Sequence, residues 1–181
     1  MDFGKFDKLK MPASYVSSDV LVYRMKNGKV QVLVGLRQND PWKDSTTVPM
    51  GGYVDDKDVN VLLASLREVE EETGLKVKAD FFIGIYGPER FHYKFDGTTI
   101  AIPTNEKGHV RPVVANCFAG RTTGGELKDT AEQKGLRWVD PSELAGVLMP
   151  FDHARVLADF LEALEDGSSA TWRKQALRLV K

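Results

Sequence analysis

The hydrophobic pattern of the chain predicts alternating strands and helices. Apolar-rich runs at residues 16–25 and 30–36 predict two strands, and Asn27-Gly28 between them is the strongest short hairpin signal. Further strands are predicted at residues 81–86, 110–118 and 136–139, with a loop at residues 121–125. A core-facing helix is predicted over residues 59–73, because apolar side chains recur there at three- and four-residue spacing: Val59, Leu62, Leu66, Val69 and Thr73.

Two further segments have helical character, besides the helix at residues 59–73. Gly74 is well placed as the left-handed cap that ends the helix at residues 59–73. Asp140-Pro141 is expected to start a short helix that runs through Leu144, and residues 152–165 form an amphipathic pattern. Mixed strands with only a few helices indicate an α/β or α+β sandwich.

Composition narrows the class of protein. The 181 residues fit one domain with short appendages. Lys plus Arg total 25 and Asp plus Glu total 26, and this balance argues against binding nucleic acid or an anionic membrane through bulk charge. The single cysteine, Cys117, rules out an intrachain disulfide or a cysteine-based zinc or iron–sulfur site, and it is expected to be buried. No apolar run approaches the ~18 residues of a membrane span, and the first residues lack a signal-peptide core, so a cytoplasmic protein is expected.

The helix predicted over residues 59–73 also gathers acidic side chains. Glu68, Glu71 and Glu72 fall within one arc that covers roughly a third of the helix circumference and lies away from the apolar stripe. Like charges at this spacing repel one another, whereas a hard divalent cation accepts several carboxylates. The pair Gly51-Gly52 precedes the helix, and glycine lets the backbone approach a ligand and leave a carbonyl free. The alternative interpretation is a solvated acidic helix face.

Residues 67–75, with the sequence R-E-V-E-E-E-T-G-L, resemble the second half of the Nudix box, R-E-U-x-E-E-x-G-U, in which U is aliphatic. Gly52 is similar to the opening glycine of that box. One departure is present, because Asp58 lies six residues after Gly52 but nine before Arg67. The loop therefore carries one residue more than the family spacing, and an aspartate stands where the family has a glutamate.

The resemblance implies a fold, an activity and a cofactor. It implies a Nudix-type α/β/α sandwich with a mixed β-sheet over residues 15–165, flanked by an N-terminal arm at 1–14 and a C-terminal tail at 166–181 that contains a helix candidate. It implies hydrolysis of a nucleoside diphosphate linked to another group, with Mg²⁺ or Mn²⁺. Such ions neutralise the diphosphate and activate the attacking water.

The resemblance also implies site residues. Glu68 and Glu72 are expected to bind the metal directly, with Glu71 as a ligand or bridging acid and the backbone carbonyl of Gly51 or Met50 as a further ligand. Arg67 is expected to hold Glu71 in position. Glu132 is expected to act as the base or an extra ligand, ahead of Glu126 and Asp129, with a solvated loop glutamate as its alternative.

Substrate contacts are suggested by scattered cationic and aromatic residues. Arg37, Arg90 and Arg111 are candidates to hold a phosphate or terminal ribose, although each alone is typical of a surface arginine. Candidates for stacking on a base are Trp42, Tyr53, Phe91 and Tyr93, of which Trp42 is the most suggestive. Residues 151–154 resemble a run in ADP-ribose pyrophosphatase-type members; simple helix capping by Asp152 is the alternative.

The leading hypothesis is a metal-dependent pyrophosphatase acting on ADP-ribose or a nucleoside diphosphate sugar. The alternatives are a pyrophosphatase of nucleoside triphosphates, including oxidised ones, a non-catalytic ADP-ribose sensor, and a scaffold with an acidic helix. The long segment 87–109 suits a larger substrate, and the intact set of acids favours catalysis over sensing. A homodimer is predicted from the Phe-bearing arm and from the helix candidate that contains Trp172, with no nucleic acid or membrane as partner.

Overall fold

The computed structural model describes residues 15–39, 42–87, 94–95, 98–99 and 113–165. Several sequence-based predictions lie outside these residues: the N-terminal arm, the C-terminal tail with Trp172, the contacts of Arg90 and Arg111, and the stacking of Phe91 and Tyr93.

The elements alternate as the hydrophobic pattern predicts. The helices are α1 (Val61–Thr73) and α2 (His153–Glu165), with a short 3-10 helix at Pro141–Leu144. The strands are β1 (Tyr15–Lys26), β2 (Lys29–Arg37), β3 (Thr46–Thr47), β4 (Pro49–Tyr53), β5 (Leu75–Tyr86), β6 (Lys94–Phe95), β7 (Thr98–Thr99), β8 (Val113–Gly125) and β9 (Gln133–Val139).

The main sheet is mixed. Its described strands number seven, in the order β3-β2-β1-β8-β5, with β4 also paired to β1 and β9 to β2. β1 and β8 run parallel, whereas the other pairs in this sheet are antiparallel. The fold is the α/β/α sandwich with a mixed sheet that the sequence predicts.

Each face of the sheet carries its own hydrophobic core, because successive side chains of a strand point to opposite faces. From β1, Val20 and Val22 join the core beneath α1, which also holds Met50 and Val69. Alternate residues of the same strand join the core beneath α2: Leu21 and Tyr23, together with Phe81, Val156 and Phe160. Cys117 lies in this second core and is buried, as predicted.

α1 begins later than predicted. The side chain of Asn60 accepts a hydrogen bond from the Leu63 N–H at 2.9 Å, so the N-cap is Asn60 and the helix starts at Val61. The prediction that Val59 belongs to the core-facing stripe is therefore wrong, since this residue precedes the helix and is 84% exposed. Gly74 ends the helix with φ of 76°, which confirms the predicted left-handed cap.

A second difference concerns β8. Residues 121–125, predicted as a loop, continue this strand and pair with the start of β5, for example Leu75 with Gly125. The polar and glycine-rich sequence concealed the strand, because its last five residues are exposed and need no apolar face. No helix in the described part of the chain is long and apolar enough to span a membrane.

Candidate active site

β4 and α1 bring the glycine pair and the acidic residues together. β4 pairs with β1 so that Gly51 lies opposite Asp19 and Gly52 lies opposite Ser18. A cleft of about 430 Å³ opens beside this strand, and its lining residues come from β4, the following loop, α1 and the segment before β9: Gly51, Gly52, Tyr53, Asp55, Arg67, Glu68 and Glu132.

Gly52 allows the Glu68 carboxylate to lie against the backbone of β4. A Cβ atom added at Gly52 would lie 2.6 Å from the Glu68 Cδ and 2.7 and 2.8 Å from its two oxygens. These distances are well inside van der Waals contact, so a side chain at residue 52 and this position of the carboxylate are incompatible. Glycine at 52 is therefore required for the cleft to hold Glu68 where it is.

Arg67 connects the acidic groups at the mouth of the cleft. Its guanidinium donates to both carboxylate oxygens of Asp58, with Nε–Oδ1 at 3.0 Å and Nη2–Oδ2 at 2.9 Å. Its Nη1 donates to Glu68 at 2.8 Å and to Glu71 at 3.0 Å. The hydrogen bonds from Arg67 lower the pKa of Asp58 to about 2. Asp58, the residue at the departure from the family spacing, is thus the bidentate anchor of this arginine.

Glu72 lies deeper than Glu68 and Glu71. Only 5% of it is exposed, and its Oε2 accepts a hydrogen bond from the Gly51 N–H at 3.1 Å. Gln133 donates to the other oxygen at 3.5 Å. Burial raises the pKa of Glu72 to about 8, with further contributions from the Glu132 and Asp19 carboxylates. Glu71, by contrast, has a side chain that is 59% exposed and stands at the rim.

Asp19 is a site residue that sequence reasoning missed. It lies on β1, and a Cβ atom at Gly51 would collide with it. The Cys117 thiol donates to its carboxylate at 3.7 Å. The pKa of Asp19 is raised to about 7, mainly by burial and in smaller part by the Glu68 carboxylate. The available signal was a charged residue inside an otherwise buried strand, between Ser18 and Val20.

The donor set suits a divalent cation. Carboxylate and carbonyl oxygens are the ligands that Mg²⁺ and Mn²⁺ prefer, and burial raises the pKa values of both Glu68 and Glu72, so a positive charge beside them would stabilise their ionised forms. Within the described ranges, no three His, Cys, Asp or Glu side chains already converge as a cage. Arg67 contacts Glu68 and Glu71, so an ion would share or replace this guanidinium contact. The residues present therefore fit such an ion.

Two of the predicted acids in the loop before β9, Glu132 and Asp129, have different surroundings. Glu132 lines the cleft and acts electrostatically on both Glu68 and Glu72. Asp129 instead accepts hydrogen bonds from the Gly135 and Leu136 N–H groups at 3.0 and 3.1 Å, which shape the turn into the strand.

The predicted substrate residues Arg37 and Trp42 are not among the residues that line the cleft, and both lie against Phe151. Trp42 contacts Phe151 edge-on, with ring centroids 6.4 Å apart, and the Arg37 guanidinium lies 5.4 Å from the centroid of the Phe151 ring. Gln133, which contacts Glu72 and Thr47, was missed because a buried glutamine has no local sequence signal.

Both the sequence and the fold of this chain are similar to those of known proteins. The model of the NUDIX domain family matches residues 16–164. The ADP-ribose pyrophosphatase of Methanocaldococcus jannaschii is 30% identical over 132 residues, which cover 72% of this chain and 66% of that protein, just under two thirds of its length. A putative 8-oxo-dGTP diphosphatase of Bacillus subtilis is 29% identical over 141 residues, 77% of each chain. Among solved structures, the NUDIX domain of Shewanella oneidensis NrtR, complexed with ADP ribose, has a TM-score of 0.65 at 16% identity and covers 91% of this chain and 99% of that one.

Proposed function

Because this chain belongs to the Nudix family of hydrolases, which act on acid anhydrides in phosphorus-containing substrates, we propose that it cleaves the diphosphate bond of a nucleoside diphosphate linked to another moiety. ADP-ribose or a nucleoside diphosphate sugar is the first candidate, and the products are a nucleoside monophosphate and a phosphorylated sugar. The name of the M. jannaschii relative supports this substrate class. The observation that carries the proposal is the cleft in which Glu68, Glu132 and Arg67 face the Gly51-Gly52 backbone.

The chain's own residues have distinct roles in this proposal. Glu68, Glu72, Glu71 and the backbone at Gly51 would hold Mg²⁺ or Mn²⁺, and the ion would supply positive charge to neutralise the diphosphate and to activate water. Arg67 orients two of these carboxylates through contacts of 2.8 and 3.0 Å.

Glu132 accepts the proton of the attacking water, because it is the exposed carboxylate on the cleft wall formed by the segment before β9. Arg37 holds the phosphate or ribose of the substrate, as do Arg90 and Arg111 in the sequence-based proposal. Trp42 contributes a surface for the base.

A second candidate is a pyrophosphatase of nucleoside triphosphates, including oxidised ones, which the name of the B. subtilis relative favours. A third is a non-catalytic sensor of ADP-ribose, and the structurally similar S. oneidensis domain was solved in complex with ADP ribose. The three differ in what is released from which substrate, so one panel separates them.

The test is product release from a panel of ADP-ribose, nucleoside diphosphate sugars and nucleoside triphosphates, with Mg²⁺ or Mn²⁺. We expect nucleoside monophosphate from the first two classes. Glu72→Gln should lose most of its turnover and keep its fold, since Gln has the same shape and can still accept from Gly51. Glu70→Gln is the matched control, because Glu70 lies on the same helix, is exposed and does not line the cleft.

Each outcome decides between the candidates. Absence of product from every substrate would contradict catalysis, while binding of ADP-ribose without turnover would support the sensor. Full activity of Glu72→Gln would remove Glu72 from the metal site. The homodimer is a separate proposal that rests on residues 1–14 and the segment with Trp172, and a monomeric mass by light scattering would contradict it.

A further inference from the structure

Two aromatic residues near the cleft have an unfavourable backbone conformation. Trp42 has φ of 74° and Phe151 has φ of 49°, in the left-handed region that bulky side chains avoid. Such a conformation costs about 1–2 kcal/mol per residue. The two rings contact each other although they come from distant parts of the chain. Backbone strain of this kind persists where the surroundings enforce it, often at ligand sites.

Backbone hydrogen bonds hold the Trp42 loop and the segment before Phe151 in this conformation. The Asp44 N–H donates to the Arg37 carbonyl at 2.8 Å, and the Ser45 N–H donates to the Trp42 carbonyl at 3.1 Å, which closes the Trp42 loop against the end of β2. The Thr46 N–H donates to the Leu148 carbonyl at 3.1 Å and so ties this loop to the segment that leads to Phe151. The rings are therefore held in place from both sides.

This aromatic pair adjoins the catalytic cleft. Arg37 pairs with Gln133 across β2 and β9, and the next residue, Gln38, donates its N–H to the Glu132 carbonyl at 2.9 Å. Glu132 lines the cleft. The Arg37 charge also lowers the pKa of the cleft residue Tyr53, against the larger effect of burial, which raises it. Arg37 thus lies between the acidic cleft and the two aromatic rings.

We propose that Trp42 and Phe151 form an aromatic subsite that receives the nucleobase of the substrate, with Arg37 at its border towards the phosphates. This inference rests on the proposed function. Phe151 is 40% exposed, so its ring is accessible to a ligand. The two rings lie at 64° to each other, so the face of one ring offers a flat apolar surface to a base while the other ring borders it. The adjacent Arg37 guanidinium offers a positive charge to the phosphate attached to that base.

The experiment measures binding rather than turnover. AMP, UMP and ribose 5-phosphate are titrated by calorimetry into the full chain and into three variants. Phe151→Leu keeps an apolar side chain but removes the ring, whereas Phe151→Tyr keeps the ring. Ile85→Ala is the control, because Ile85 is an exposed apolar residue on β5, at 62% exposure, outside this subsite.

We expect Phe151→Leu to weaken nucleotide binding about 10-fold, as for the loss of one stacked base. Binding of ribose 5-phosphate should stay within about two-fold, and Phe151→Tyr should bind nucleotide like the wild type. These ratios distinguish stacking from simple packing, in which all three ligands would weaken together.

Three results would overturn the subsite: no nucleotide binding by the wild type at millimolar concentration, equal loss of nucleotide and ribose 5-phosphate in Phe151→Leu, or no rescue by Phe151→Tyr. Failure of the hydrolase proposal appears separately, as an absence of turnover in the substrate panel while the base-dependent binding pattern persists.

Discussion

Gly52→Ala is predicted to abolish most activity while the protein stays folded. The new Cβ would lie 2.6 Å from the Glu68 Cδ, and the carboxylate would have to retreat by about 0.8 Å to reach the ordinary contact limit of 3.4 Å. A misplacement of about 1 Å in a catalytic group can cost about 100-fold in rate. We therefore expect kcat/KM to fall by about 100-fold at saturating Mg²⁺.

The stability of the same variant should change little. The Glu68 carboxylate ends a flexible, partly exposed side chain, so it can move without disturbing the core. Replacing glycine by alanine also restricts the unfolded chain, which contributes about 0.4–1 kcal/mol in favour of the folded state. The free energy of unfolding, measured in urea, should therefore stay within about 1 kcal/mol of the wild type.

Two other glycines serve as controls. At Gly124 an added Cβ meets nothing within 4 Å, so Gly124→Ala should preserve both activity and stability. At Gly51 it would collide with the backbone of Ser18 and with Asp19, which are not flexible chain ends, so Gly51→Ala should lose about 1–3 kcal/mol of stability. Wild-type kcat/KM in Gly52→Ala would refute the argument that the position of Glu68 against residue 52 matters for catalysis.

Three further predictions concern the surroundings of the cleft. Asp58→Asn should reduce kcat/KM by about 10-fold or more, because Arg67 loses the carboxylate that anchors it. Asp56→Asn, which changes an exposed neighbour, is the control. Equal activity of the two variants would contradict the role of Asp58. Burial lowers the pKa of His153 to about 3, so as the pH falls the imidazole is protonated in the unfolded chain before it is protonated in the folded protein. The stability that neutral His153 contributes is therefore fully present above about pH 6.5. It decreases towards pH 3 by at most about 1.4 kcal/mol per pH unit. The free energy of unfolding, measured with denaturant at several pH values, should fall less steeply with decreasing pH in His153→Gln than in the wild type. An equally steep fall in the variant would contradict this role of His153. Ser18→Ala should raise the free energy of unfolding by about 1 kcal/mol, because the Ser18 hydroxyl is buried with no hydrogen-bond partner among the described residues, and a lower melting temperature would show that the hydroxyl has a partner.

Local patterns predicted the parts of the site that lie close together in the sequence. The acidic helix, its glycine cap and the glycine pair before it all follow from residues 51–75, and the helix geometry alone places Glu68 and Glu72 on one side. The boundary at Asn60 was missed because an apolar residue, Val59, continued the helical spacing by one step before the cap.

The parts that could not be predicted depend on contacts between distant segments. Asp19 becomes a site residue only because β1 pairs with β4 and places it opposite Gly51. Phe151 reaches Trp42 only because the Thr46 N–H binds the Leu148 carbonyl. Local sequence patterns do not reveal these pairings, because each of them joins segments that are far apart along the chain.

The extra residue in the loop before α1 shows which feature of this site is tolerant and which is not. The loop between Gly52 and Arg67 is longer than the family spacing, yet the Asp58 carboxylate still reaches Arg67 with two hydrogen bonds of 2.9 and 3.0 Å. Asp55 supports this arrangement, because its N–H donates to Asp58 at 2.8 Å. The constraint is therefore a contact between a carboxylate and a guanidinium rather than a residue count. The contact of Glu68 with Gly52 is different, because the backbones of both residues belong to regular elements, so a side chain at residue 52 could be accommodated only by displacing the Glu68 carboxylate. In this chain the longer loop therefore leaves the contact between a carboxylate and Arg67 intact, whereas a side chain at residue 52 cannot be introduced without moving Glu68.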